Sequence, residues 1–332
     1  MADITKYRLL KKIVWLLSFL QLAVYTGAVS AQSPSPFPGL SLLSESDIRN
    51  AAIAFVNSST APGISGATIT VDTDERNSEQ LRSSLGFSAE FTITNHIFNG
   101  YWGLAIVGGT LEDEINTVAD SGQPVKLDLT RSVLGLRTSI GLSFPMTEHF
   151  KLRPYLSFTV SDLKTDTVID GLLLTDPSGN PVSTSYYKSS AYMASTTGSV
   201  EALYSRWFDD NRLELGAQYN LIYTDAISED SPVLNLTSWS QTVQLKSRYS
   251  GPTSLTTSGR PWRWDVYASH ENYLDQNKSS LGYTGLFEVG AGLEWHINMK
   301  PLNWFGWRAL GVSVGVITSR NVEGYSIGLT AR

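Results

Sequence analysis

Residues 212–223 read RLELGAQYNLIY. Leu213, Leu215, Ala217, Tyr219, Leu221 and Tyr223 alternate there with Arg212, Glu214, Gly216, Gln218 and Asn220. A period of two means a β-strand with one apolar face and one polar or small face. Eleven more stretches alternate likewise, near 67–71, 85–93, 102–106, 134–144, 152–160, 192–204, 243–249, 262–268, 287–295, 310–316 and 325–331. The first carries Ala67, Ile69 and Val71 on its apolar face, and the last carries Tyr325, Ile327 and Leu329.

The spacing between these stretches adds a second pattern. After strands 2, 4 and 6 the connections read as tight, at 94–96, 145–149 and 209–211; after strands 3, 5 and 7 they read as long, at 109–126, 164–187 and 224–237. Short turns on one side and long loops on the other, with an even strand count, are the habit of membrane β-barrels. Two connections fit less well. The one at 251–260 reads too long for a turn, and the one at 319–324 too short for a loop.

The amino terminus reads as a secretory leader. Lys6, Arg8, Lys11 and Lys12 form a basic region, residues 13–25 an apolar core, and Val29-Ser30-Ala31 a small-x-small cleavage site. The division expected is residues 1–31 as signal peptide, 32–62 as a Pro/Ser-rich segment and helix, and 63–332 as barrel. The leader holds four of the 25 Lys and Arg and one of the 31 Asp and Glu, so its removal takes the formal charge from −6 to −9. Such a balance speaks against nucleic acid as a partner. With no cysteine in 332 residues, disulfides, thiolate metal sites and cysteine nucleophiles are excluded. Beyond the leader no apolar run reaches the roughly 18 residues of a spanning helix.

The direction of the apolar face decides the fold. A soluble sandwich also alternates, with its apolar side inward. Several of these strands run past the 5 or 6 residues of an average soluble strand, toward the roughly 9 to 11 that cross a bilayer. Trp207, Trp262, Trp264, Trp295, Trp304 and Trp307 gather beside the inferred periplasmic turns, as an interfacial aromatic girdle does. The sequence therefore predicts an all-β fold, a single antiparallel transmembrane β-barrel of about twelve strands. Its location is the outer membrane of a Gram-negative envelope, in contact with lipid and lipopolysaccharide.

With the apolar side outward, the alternate positions line the lumen. They include Arg82, Glu90, Arg137, Lys151, Arg153, Glu214, Lys246, Arg248, Arg263, Asp265, Glu288 and Glu294, of both signs and so able to pair across strands. Interleaved glycines leave room for a filler. Ser44 or Ser46 can cap a helix in which Ile48, Ala51, Ala52, Phe55 and Val56 fall at helical spacing and which Pro62-Gly63 ends. The lumen of about twelve strands suits one helix. Arg49, Asn50 and Asn57 would meet lumenal charges.

That helix at 44–57, the strand start Leu152-Arg153-Pro154-Tyr155 and the closing strand 324–332 resemble the translocator domain of autotransporters. The likeness is nearest to solitary barrels of that family, which lack a passenger. It implies a non-enzymatic barrel, structural or plugged by its helix, inserted by the barrel-assembly machinery. The chain departs from the family in having only residues 32–62 ahead of strand 1 and in ending on Arg332 rather than an aromatic residue.

Residues for other chemistries are also present. A surface hydrolase would use His270, Glu271 and Asp275 at the end of strand 9 to activate water, or a serine paired with His96, His149 or His296. A small-solute channel is a further alternative. Asp72, Asp74 and Glu75, or Glu112, Asp113 and Glu114, lack the spacing of a calcium loop. No cofactor, metal site or catalytic residue is predicted.

Overall fold

The computed structural model describes residues 45–63, 66–73, 76–93, 97–119, 122–175, 181–230, 236–274, 280–297 and 309–331. The leader, Asp74, Glu75, His96, Asp275, Trp304 and Trp307 lie outside them. One helix, α1 (Glu45–Thr60), precedes twelve strands among the described residues. They are β1 (Ala67–Asp72), β2 (Arg76–Thr92), β3 (Asn99–Val118), β4 (Pro124–Pro145), β5 (Phe150–Thr175), β6 (Pro181–Phe208), β7 (Asn211–Glu229), β8 (Thr237–Thr257), β9 (Arg260–Tyr273), β10 (Gly285–Trp295), β11 (Leu310–Ser319) and β12 (Val322–Ala331). Each strand pairs antiparallel with its neighbour in the chain, and β1 pairs with β12, which closes the barrel.

The outer surface carries the alternation of the sequence. Leu85, Ile106, Leu136, Ile140, Val160, Val314 and Ile327 are between 50% and 68% exposed and lie on six different strands. Large aliphatic side chains presented all round a cylinder have no aqueous explanation; their solvent is hydrocarbon. A closed ladder is also the sheet form that suits lipid, since it keeps unpaired strand edges few; here the ring closes through the short β1, which pairs over Ala67–Asp72. None of the described helices is long and apolar enough to cross a membrane.

β2, β4, β6 and β8 end in short connections on one side, the turn end, where the longer stretch 296–309 also joins β10 to β11. There Asp209 (φ +52°) turns β6 into β7, and Ser258 and Gly259 (φ +54° and +71°) turn β8 into β9. Two successive positive φ values are the geometry of a two-residue hairpin that matches strand twist. The region 251–260, expected as a longer connection, is thus the end of β8 followed by a tight turn.

The opposite side, the loop end, differs from the sequence reading. The segments 109–126, 164–187 and 224–237, expected as long loops, are mostly strand. β5 and β6 run for 26 and 28 residues and stay paired beyond the apolar belt. Against them the inner side of the start of β4 is apolar: Val125, Leu127 and Leu129 are buried together with Ile169 of β5. A second correction concerns β1. Ala67, Ile69 and Val71 point inward, buried against Ala54, Leu281 and Tyr283, rather than toward lipid. The reason is the filler: wherever the lumen holds packed protein instead of water, its wall must be apolar as well.

Candidate functional site in the lumen

α1 lies inside the barrel, against β2, β3, β4, β7 and β8. Ala52, Ile53, Ala54, Phe55 and Val56 are 0% to 2% exposed, so the helix is enclosed on all sides in this stretch. Ala52, Ile53, Phe55 and Val56 pack on Leu111, Val133, Leu163, Met193 and Leu236 of the wall, and Ala54 on the cluster around β1. Leu236 belongs to the connection before β8, so the early turns of α1 lie toward the loop end. The last turn lies at mid-barrel. At Gly109 the wall leaves no room for a side chain beside the helix, since a Cβ there would stand 2.8 Å from Ser59 Oγ.

Polar contacts fix the lower half of the helix. Asn57 donates to Ser240 Oγ (2.7 Å) and accepts from Thr224 Oγ1 (2.8 Å). Gln80 donates to Ser58 Oγ at 2.8 Å. A helix leaves its last four carbonyls without intrahelical partners, and that end carries partial negative charge. Here the wall answers both needs. Arg137 donates to the carbonyls of Thr60 (2.8 Å) and Ala61 (2.7 Å), and Lys246 to that of Gly63 (2.6 Å). Gln218, Asn220 and Gln244 converge on the Pro62 carbonyl at 3.3 to 3.4 Å. Asn57 therefore meets hydroxyls rather than charges, while Arg49 and Asn50 are half-buried near the other end.

The remaining lumenal charges form separate clusters. Toward the turn end, Arg153 bridges Glu90 (2.5 Å) and Glu201 (2.8 Å), lies 4.5 Å from the centroid of the Tyr101 ring, and shares Glu90 with Lys151 (3.1 Å). Around the wall, Arg248 bridges Asp265 (2.8 Å) and Glu294 (2.7 Å) and stands 3.9 Å from Glu214. Arg82 is buried and pairs with Glu271 at 3.1 Å. Glu288 accepts from the hydroxyls of Tyr267 and Ser326. Arg263 sits at the turn-end rim, donating to the Asp210 carbonyl at 2.7 Å, with its guanidinium 5.0 Å from the Trp207 ring. Sequence reasoning missed Arg76, which holds Asp113 through two 2.7 Å bonds at the loop end. It also missed Glu201 and the three amides on Pro62. Glu201 is the register partner of Arg153, whereas Arg76 reaches Asp113 diagonally, two positions off its own partner Ile115.

Of the girdle candidates, Trp262, Trp264 and Trp295 stand on outward positions near the turn end, whereas Trp207 takes the inward parity of Glu201 and Ser205 and lies at the rim against Arg212 and Arg263. Trp262 and Trp295 stack with ring centroids 6.3 Å apart, and their N–H groups reach the Thr257 hydroxyl and carbonyl. The enzymatic candidates do not assemble. His270 points outward while Glu271, its neighbour on a strand, points inward to Arg82, so the two are on opposite faces of the wall. Asp113 is held by Arg76, and Glu114 pairs with Lys126 at 2.9 Å. Among the described residues no group of His, Asp and Glu is placed to hold a metal ion.

No protein-family model matches the chain, and no curated protein does. Solved structures of similar architecture exist. The β domain of the Bordetella autotransporter BrkA is 12% identical, covers 80% of this chain and 94% of its own, and has a TM-score of 0.45. The translocator domain of autotransporter NalP from Neisseria meningitidis is 14% identical over 80% and 85%, with a TM-score of 0.44. The transport unit of the autotransporter AIDA-I from Escherichia coli is 9% identical over 86% and 98%, with a TM-score of 0.42.

Proposed function

We propose that this chain is a non-enzymatic β-barrel of the bacterial outer membrane, delivered by a leader cleaved after Ala31 and inserted by the barrel-assembly machinery, in which α1 keeps the pore shut. The observation that carries the reading is the fit of the helix. Its middle turns are enclosed by apolar wall residues, and its last carbonyls are held by Arg137, Lys246 and three side-chain amides. A dry collar around a helix leaves no continuous water path for an ion, and a cation-capped terminus gives that helix one preferred depth. The lumenal charges Glu90, Arg153, Glu214, Arg248, Asp265 and Glu294 then brace the wall as paired networks rather than serve as a selectivity ring.

Planar-bilayer conductance tests this. The full mature chain should stay near baseline, while a form lacking residues 45–60 should give stable, ohmic steps. Steps of equal size and frequency from both forms would refute closure by α1.

A further inference from the structure

We infer that the wall carries a lateral binding site for a single-chain amphiphile with a net-neutral polar head, at the seam between β2 and β12. β1 is six residues long and stops, going toward the turn end, at Ala67, level with Arg82 of β2. β2 continues to Thr92 and β12 to Ala331. Below Ala67 neither strand has a pairing partner on this side among the described residues.

Two cavities meet at that seam. One, of about 610 Å³, opens outward and is lined by Leu85, Phe87, Trp295, Leu310, Val312 and Leu329. The other, of about 530 Å³, lies inside beneath the Gly63 end of α1 and is lined by Lys246, Arg248, Asp265, Tyr267, Glu288 and Ser326. Leu85, Val312 and Leu329 border both. Each volume falls in the range of about 300 to 1,000 Å³ usual for ligand pockets.

The chemistry of the seam selects the occupant. Strand edges at bilayer depth need hydrogen-bond partners, which lipid tails alone cannot supply. Water satisfies the inner chamber but not the apolar groove. A molecule whose hydrocarbon tail lies in the outer groove and whose hydrogen-bonding head reaches the inner side of the seam matches the chemistry of both cavities. The chamber offers two cations, Lys246 and Arg248, and two carboxylates, Asp265 and Glu288, with Arg248 already 2.8 Å from Asp265. That balance disfavours a head of net charge. The seam does not depend on closure by α1, so either idea can fail alone.

The test is photo-crosslinking of the full mature chain in nanodiscs of diacyl lipid, with lysophosphatidylcholine carrying a diazirine on its tail or, separately, on its head. The tail probe should label Leu85 and Leu329 saturably, roughly tenfold more than the exposed Leu215 of β7 on the opposite side of the barrel, and unlabelled lysophosphatidylcholine should displace it. The head probe should label Tyr267 or Ser326. The pair Val312→Trp and Leu329→Trp fills the groove and should abolish the saturable signal while heat-modifiable migration persists; where that variant fails to fold, the wild-type labelling map decides. Uniform, non-saturable labelling around the belt overturns the proposal. So does labelling that never reaches the chamber, and so do crosslinks joining the β2 or β12 edge to a second copy.

Discussion

Arg137 offers the sharpest test of how α1 is held. Its guanidinium donates to the carbonyls of Thr60 and Ala61 at 2.8 and 2.7 Å. A hydrogen bond to a charged group contributes about 1.5 to 3 kcal/mol net. In Arg137→Met, water from the chamber beneath takes up part of that role, which leaves a loss of about 2 kcal/mol for the docked helix. That is roughly a 30-fold rise in the fraction of time the last turn is undocked. The chain has no cysteine, so Ser59→Cys supplies a single reporter at a site 1% exposed. In reconstituted vesicles, a membrane-impermeant maleimide should label that thiol about 30-fold faster when Arg137→Met is added. Arg137→Lys keeps the charge but loses the fork, so its rate should fall between the two. Equal labelling rates, within a factor of about two, would show that the guanidinium does not hold the helix terminus.

Further outcomes follow from burial, belt and rim. Glu271→Leu strands the buried Arg82 guanidinium, now 3.1 Å from its carboxylate, and should destabilise the barrel by about 3 to 5 kcal/mol in urea titrations in lipid. The double variant with Arg82→Met should sit close to wild type, and a double as weak as the single would sink this view of the pair. Ile140→Arg, on the hydrocarbon face, should lower stability by about 2 to 4 kcal/mol, whereas Tyr186→Arg, exposed on the long β5–β6 hairpin, should change it by less than about 0.5 kcal/mol. Equal effects would place the belt wrongly. At the rim, the Ser190 N–H and hydroxyl hold the Asp230 carboxyl below its usual value of 3.8. A lowered carboxylate tethers the end of β7 to β6 fully above that value and lets go as pH falls through the lower one. The Ser190 amide proton shift should therefore titrate with a midpoint under 3.8, and a midpoint at or above 3.8 contradicts the tether.

Period-two alternation was enough to read the barrel because lipid imposes one rule on every outward position. Leu213 to Tyr223 on β7 and Val312 to Val316 on β11 obey it without interruption. The rule fails where the medium changes. Val125, Leu127 and Leu129 alternate as strictly as any membrane strand, yet they face inward, past the belt, and the segment holding them reads as a loop when only lipid is considered. Leu111, Val133, Leu163 and Met193 occupy lumenal positions expected to be polar, because they abut α1 rather than water. Apolar residues on both parities, as in Val133-Leu134, were the available sign of a filled interior. Of the lumenal charges, position followed from parity alone, but partners did not. Arg137 and Lys246 serve backbone carbonyls of a distant segment, and no local pattern announces such a contact. His270 and Glu271 show the converse: neighbours in a strand cannot share a face, so their adjacency argued against joint chemistry from the start.

The short β1 also dictates an order of assembly. It is the strand that shuts the cylinder, laid between β2 and the far end of the chain on β12, and α1 hangs from it by a few residues. A ring already zipped along β1 and β12 would have to admit a rod about 24 Å long end-on through a mouth lined with packed side chains. Uptake of the rod and the final pairing are better served as one event, governed by a single contact between chain ends and hence slow. The portion translated early is then the last to settle, and it arrives as stopper and keystone together.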